Sequence, residues 1–482
     1  MSSGLLSIAR TALLTHQSAL QTVSQNIANA ETPGYSRQEA VLVANTPLRM
    51  SYGSVGTGVH IETILRRRDI LLDDNFRSAS TLAGGTEMRR DLMSQVESVF
   101  GEPSDAGMAS ALDAFWGSWS DLSASPNSVA TRSVVQQRGR QVATLFNEYD
   151  TQLTQQRSST LERLQNTVGT INAIAEQVAE LNTRIVTSES VGQTNNDLRD
   201  LRDMKLDELS KIAGTRVLQQ ANGNVTVLIG NSTLVESGSA RPLTISLDVP
   251  VPTPTTPLAD IDVKIRLGGS LDRLAPLGGE LKAIVDVVNT DIPDARGRLD
   301  AMAAQFAQAV NTVHTTGYTF TGNTIPGTAA GNFFDPGSAT IPVSAATLKL
   351  SSAVAIDPTK IAASGNANGP TDNSIAQGVS ALRIADGTVS FTGSGGASES
   401  GSFLGFFRSM VTRIGLETAS ATDNATVYRS LTDQADARRQ AVSGVSTDEE
   451  LVNMMRVQQS YQAATKLIKA ADDMMQTLLS LI

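Results

Sequence analysis

The stretch "NIANAETPGYSRQ", residues 26–38, packs a helix stop, a tight turn and the approach to a strand into thirteen positions. Upstream of it, Leu6, Ala9, Leu13, His16, Leu20, Val23, Ile27 and Ala30 recur in steps of three and four. That is the a/d seam of a coiled-coil helix, with His16 as its one polar member. Pro33 blocks further helix, and Thr32-Pro33-Gly34-Tyr35 puts Pro and Gly at the central positions of a type II turn. Asn29, Thr32, Pro33, Gly34 and Tyr35 thus form a turn motif whose job is shape, since none of these groups makes a nucleophile or a ligand set. Beyond it, "EAVLVANT" and "GTGVHIETILRRR", joined through the Gly-rich "SYGSVGTG", read as a β-hairpin.

The far end carries a matching signal. In "SGVSTDEELVNMM", Ser446 is placed to cap a helix with Glu449 three residues on, a capping-box pattern. Asp448, Glu449 and Glu450 fall in the first turn, where carboxylates complement the helix dipole. Met454, Val457, Tyr461, Ala464, Ile468, Ala471, Met475, Leu478 and Ile482 then keep three-four spacing to the last residue. Leu467, Met474 and Leu481 add a neighbouring row, so the apolar face is wider than one partner helix needs. A lone helix of this kind is marginal in water. Both ends are therefore expected to be disordered when free and to fold on assembly.

Between the ends, no proline occurs from Val134 to Val186, and Leu164, Val168, Ile171, Ala175, Val178 and Ile185 recur on one face of a long helix. Patterns near 68–100, 197–213, 278–315 and 401–440 supply its partners. "NVTVLI", "PLTISLDV" and "IDVKIRL" alternate as half-buried strands, punctuated by the Pro-rich "VPVPTPTTP". The expected fold is mainly α with inserted β: terminal coiled-coil helices, a long-helix bundle body and small inserted β domains. Residues 1–35 with 443–482 form the terminal assembly domain; 36–213 with 270–330 and 401–442 form the helical body, hairpin included. Residues 214–269 are the inserted β domain, and 331–400 a loop- and β-rich insertion.

Composition excludes several functions. A net charge of −10 argues against a nucleic-acid partner, which requires clustered Lys and Arg. Aromatics are 4% of residues, so the core is expected to be built from small and medium aliphatics. There is no cysteine, hence neither disulfides nor Cys-based zinc sites. His16, His60 and His314 lie far apart without ligand spacing, and no metal or cofactor is expected. The chain has no G-x-x-x-x-G-K-[ST], H-E-x-x-H or G-x-S-x-G, and no catalytic residue is assigned. "MSSGLLSIARTALLTHQ" lacks a basic n-region and an apolar h-region, and no run reaches the roughly 18 apolar residues of a span. Neither a cleaved signal peptide nor membrane insertion is expected, which by itself points to the cytoplasm.

With both ends in view, the chain resembles the axial proteins of the bacterial flagellum. "NIANAETPGYSRQ" is similar to the rod and hook signature, and "QQSYQAATKLIKAADDMMQTLL", 458–479, to its C-terminal partner. The acidic "GVSTDEE", the helical region through 130–213, the run from Gly278 to Tyr318 and "GNFFDP" at 331–336 resemble the hook–filament junction branch of that family. Thr11 and Ala12 stand where members often carry Ser-Gly. The resemblance implies a structural subunit without catalysis, passed unfolded through the flagellar type III export apparatus. It implies a ring of copies between the hook protein and the second junction protein, and a cytoplasmic export chaperone on the C-terminal region. It also implies terminal helices near the tube axis, with the body outside. The expected location is extracellular, at the hook–filament junction, after a transient cytoplasmic stage.

Two other functions compete. One is another axial subunit such as a hook protein. The other is an exported hydrolase or adhesin acting through 215–267 or 337–400, although neither insert concentrates His, Asp or Glu. The "RRR" at 66–68 reads as a solvated basic cluster, or else as a contact for acidic surfaces on a neighbouring subunit. Asp73/Asp74 and Asp472/Asp473 read as surface or capping charges, because adjacent residues diverge on a helix. Trp116 and Trp119 share a helix face and are expected to anchor a core.

Overall fold

The computed structural model describes residues 2–51, 53–101, 104–190, 194–220, 222–248, 262–268, 273–274, 278–320, 324–338, 342–392 and 398–479. Helix α1, Ser2–Ala28, leads through the turn into strands β1 (Gln38–Ala44), β2 (Leu48–Met50), β3 (Gly53–Val55) and β4 (Val59–Arg66). β1 and β4 pair antiparallel from Gln38↔Arg66 to Ala44↔Val59, with a bulge at Val41/Leu42, and β2 and β3 form a small hairpin at the tip. Four helices follow: α2 (Ile70–Phe100), α3 (Met108–Ala124), α4 (Val129–Glu189) and α5 (Asn196–Ala213). Strands β5 (Thr215–Gln219), β6 (Val225–Ile229), β7 (Ser232–Glu236) and β8 (Ser239–Ala240) make a four-stranded meander. β9 (Leu243–Asp248), β10 (Asp262–Leu267) and β11 (Arg273–Leu274) make a second sheet in the order 11-10-9. The Pro-rich "VPVPTPTTP" lies outside the described residues.

Helix α6 (Gly279–Asp286) continues through a π-helical turn, Val287–Asp291, into α7 (Ile292–His314). Short pieces come next: β12 (Tyr318–Thr319), β13 (Thr328–Ala329), α8 (Ser352–Ile356), α9 (Ser374–Ala381), β14 (Val389–Thr392) and β15 (Ser398–Gly401). Helices α10 (Phe403–Ser443) and α11 (Thr447–Leu479) close the chain. The spine is α4: 61 residues, roughly 90 Å at 1.5 Å per residue, opened by Ser128, whose hydroxyl accepts from the Thr131 amide. Helix α2 lies along α10 and crosses α5 and α6. Gly84 makes that crossing possible, since a Cβ there would lie 2.6 Å from the Lys211 carbonyl oxygen.

The body has one core, and its centre is aromatic. Phe115, Trp116 and Trp119 of α3 meet Phe146 of α4, Phe306 of α7, Phe333, Phe334 and Phe403 of α10, all fully buried. Most pairs meet edge-on or tilted, as between Phe115 and Trp116 at 4.9 Å and Phe306 and Phe403 at 5.4 Å, which suits the ring quadrupoles. This corrects the expectation of an aliphatic core: a low chain-wide aromatic content hides the fact that the rings are concentrated in one place. The sheets of 214–269 and the segment 331–400 contribute to the same cluster, through Val227, Ile229 and Val263 and through Phe333, Leu348 and Ile361.

One device recurs where the helical body meets a strand or the Phe333–Phe334 segment. An asparagine side chain pairs with both the N–H and the C=O of a single residue: Asn172 with Leu243, Asn182 with Val225, Asn289 with Val263 and Asn311 with Phe334. Each clamp satisfies a backbone unit that would otherwise be buried without partners.

Candidate functional site

The terminal helices pair with each other. The end of α1 meets the start of α11 through Asn26 and Glu450, so the two run antiparallel. Along α11, Ala464 and Ala471 are buried, and Met454, Val457, Tyr461 and Ile468 half-buried, while Met475 is exposed. The Leu478 side chain and Ile482, with Leu481, lie outside the described residues. On α1, Ala9 and Val23 are buried and Leu6, Leu13, His16, Leu20 and Ile27 half-buried; Ala30 lies beyond the helix end. The row one residue back, Thr15, Ala19, Thr22 and Asn26, is fully buried. It serves the hairpin, since Thr15 donates to the Val59 carbonyl and Asn26 clamps Gln38. Leu14 on α1 and Leu451, Val452, Met455, Leu467 and Met474 on α11 remain exposed.

At the base of this pair sits a joint centred on Asn26, 1% exposed. Its amide donates to the Gln38 carbonyl at 2.8 Å and to Glu450 Oε2 at 3.1 Å. Its oxygen accepts from the Gln38 N–H at 3.0 Å and the Tyr35 hydroxyl at 2.8 Å. All four bonding positions of the amide are thereby used. Glu450, 2% exposed, also holds Arg37 at 2.8 Å, and Arg37 reaches Glu449 at 2.7 Å. The expected capping box is therefore only half made. Ser446 accepts from the Glu449 amide, but the Glu449 carboxylate is drawn to the guanidinium, because a charge-assisted bond outweighs a neutral one. Burial, with Asp197, Asp200 and Glu450 nearby, raises the Tyr35 pKa, keeping the hydroxyl a donor.

Beneath the joint, Asp200, Asp203 and Asp207 of α5 share one helix face and meet arginines from three other segments. Arg66 bonds Asp200 at 2.6 Å and Asp203 at 2.8 Å; Arg68 bonds Asp73 at 2.7 Å and Asp203 at 3.1 Å. Arg77 and Arg439 both reach Asp207, and Arg439 also lies over the Phe76 ring at 3.8 Å. The Ser36 amide and hydroxyl donate to Asp200. Burial alone would raise the Asp203 pKa, but Arg68, Arg66 and Arg77 hold it below its ordinary value. Two readings are corrected here. Arg66 and Arg68 are not solvated, and Asp73 is not a surface charge, because buried arginines require carboxylates; Arg67 stays outside with Glu39.

The turn motif closes the joint. Helix α1 ends at Ala28, before Pro33 can act, with the Asn29 side chain bonded to the Gln25 carbonyl. Gly34 has φ +82 and the Tyr35 amide bonds the Thr32 carbonyl, the geometry of a type II turn. A Cβ on Gly34 would lie 3.3 Å from Met204 Sδ on α5. Thr32, Pro33 and Gly34 are exposed, and Tyr35 is half-buried. The sequence reading missed Asn26, Ser36, Arg37, Asp200, Asp203 and Glu450. Its available signals were the Asp200/Asp203/Asp207 spacing and the arginine triplet, neither of which names a partner. Among the described residues no group of three His, Asp or Glu could hold a metal, and no helix is long and apolar enough to cross a membrane.

Three family models match the chain. A family model described as flagellar hook-associated protein FlgK helical domain matches residues 93–334. The flagella basal body rod protein model matches 6–35, and the flagellar basal body rod FlgEFG protein C-terminal model matches 439–481. Flagellar hook-associated protein 1 of Bacillus subtilis (strain 168) is 30% identical, over 98% of this chain and 96% of its own. Its counterpart in Salmonella typhimurium is 25% identical, over 99% and 100%. The solved structure of the flagellar hook junction protein FlgK from Burkholderia pseudomallei has the same fold, with a TM-score of 0.62 at 16% identity over 76% of this chain and 100% of that one.

Proposed function

The chain belongs to the flagellar hook-associated protein 1 family, structural subunits of the flagellum, and we propose that its antiparallel terminal helices are the part built into the tube. The carrying observation is that α11 has two apolar rows, of which one is covered as far as Ala471 and the other is open. Ala464, Ala471 and their row lie against α1, whereas Leu467 and Met474 face solvent. An open row along a terminal helix fits contact with further copies in a ring. The assembly residues on this reading are Leu6, Ala9, Leu13, Leu20, Val23 and Ile27 with Met454, Val457, Tyr461, Ala464, Ile468, Ala471 and Met475.

The joint at Asn26, Tyr35, Arg37 and Glu450 sets the angle between this assembly unit, 1–35 with 443–482, and a body that takes in the rest of the chain. Relatives matched over nearly their whole length favour a hook–filament junction subunit over a hook protein, since the rod-type models match only the two ends. The partners we assign are the hook protein on one side and the second junction protein on the other. An export chaperone holds the C-terminal region before the type III apparatus carries the chain out of the cytoplasm. The role is structural, without catalysis. Deleting the gene and viewing cells by electron microscopy tests this: intact hooks without filaments, and flagellin shed into the medium, are expected. Normal filaments would overturn it.

A further inference from the structure

The hairpin after the turn ends in a surface that covers nothing. Leu48 pairs with Val55 and Met50 with Gly53, so Leu48, Met50 and Val55 share one face of the tip. All three are exposed, Leu48 at 55%. A two-stranded ribbon with a bare apolar face is marginal in water. A second bare surface lies at the other end of the same hairpin. There a groove of about 750 Å³ is floored by Val41, Leu65, Ile70, Leu71 and Val442, with Leu71 67% exposed. Arg66, Arg67 and Arg68 line it together with Glu39, Asp69 and Asp74. Arg66 and Arg68 are bound to buried aspartates and Arg67 to Glu39, which leaves Asp69 and Asp74 as its remaining carboxylates. The tip segment 45–58, by contrast, holds Arg49 and no carboxylate.

These surfaces cannot meet within one chain. The seven-residue strand β1 separates them, about 23 Å at 3.3 Å per residue. We infer that the apolar tip of one copy's hairpin seats in the groove at the base of a neighbouring copy's hairpin. This rests on the reading that copies assemble side by side. The contact is heterologous: each copy offers one tip and one groove, and repetition gives a ring or a helical row. Arg49 against Asp69 and Asp74 orients it. Three side chains in a groove are far less than the roughly 1,200 Å² of a stable interface, so the contact adds to that of the terminal helices.

The chain has no cysteine, so introduced thiols are the only ones present. Full-length Leu48→Cys/Leu71→Cys protein is allowed to assemble, followed by sedimentation, and then oxidised with diamide. A ladder of disulfide-linked dimers and larger species is expected, with each single variant unlinked. The dilute monomer should form no internal bridge, since a disulfide needs Cα atoms within about 7 Å. Copies that assemble without a ladder overturn the inference and leave the assembly reading standing; absence of assembly removes both. Met50→Asp, on an exposed side chain, should raise the concentration needed for self-association about tenfold, the loss of one apolar anchor. An unchanged concentration counts against the tip as the docking element.

Discussion

The aromatic nucleus of the body and the α1–α11 pair are both packed helices, yet they differ in what lies between them. In the body, Trp116, Trp119, Phe306 and Phe403 are almost wholly removed from water by four helices and the Phe333–Phe334 segment. On the a/d rows of α1 and α11 the fully buried apolar groups are small, Ala9, Val23, Ala464 and Ala471, and large ones stay partly or wholly outside. Burial of apolar area is the main stabilising term, at about 25 cal/mol per Å². A single chain therefore completes its body but leaves its terminal pair short of cover.

That contrast can be broken in five places. Phe306→Ala removes a ring that touches five other aromatics and should cost the monomer about 3–5 kcal/mol, read by denaturant unfolding. His314 comes next. Burial lowers its pKa from 6.5 to about 4, and its ring is bonded to the Gly331 carbonyl and the Ala362 amide. The unfolded chain takes up that proton at the higher pH, so this contribution is complete above pH 6.5 and is lost as pH falls towards 4. The loss should be about 3 kcal/mol in body stability measured across that range, and His314→Gln should flatten it.

Glu450→Gln weakens the buried bond to Arg37 and should cost about 2 kcal/mol, seen in assembled copies as faster amide exchange at the start of α11 with the body unchanged. Gly34→Val forces a branched side chain to φ +82 and should cost about 1–2 kcal/mol; paired with Pro33→Ala it should allow export yet impair incorporation at the hook tip. Normal motility of that double variant would discredit the turn's role. The smallest effect on the monomer, within about 0.5 kcal/mol, is expected from Leu467→Ser with Met474→Ser, because both side chains are already exposed. Those same changes should abolish assembly, and an assembling variant would refute the open-row reading. In the dilute monomer, exchange through α1 and α11 should be fast and become slow on assembly.

Much of this architecture was legible along the chain. The long α4, the hairpin, strands β6, β9 and β10 and both terminal helices follow from periods of two and 3.6, which repeat every few residues. The type II turn followed from Pro33 and Gly34 alone. The aromatic nucleus was not legible, since Phe115, Phe306, Phe333 and Phe403 come from four separate segments, and only the Trp116/Trp119 spacing hinted at it. The joint was even less so. Arg66 and Asp200 are 134 positions apart, Asn26 and Glu450 are 424 apart, and an asparagine that clamps a strand looks like any other in sequence.

By itself the sequence determined where the helices run, where they stop and which stripe of each is apolar, because backbone geometry imposes those periods locally. Tertiary structure alone decided which arginine meets which aspartate, which asparagine closes on which backbone unit, and which apolar row is left without cover. Such pairings depend on placement to within a fraction of an ångström after the helices have packed, and no local pattern encodes that placement.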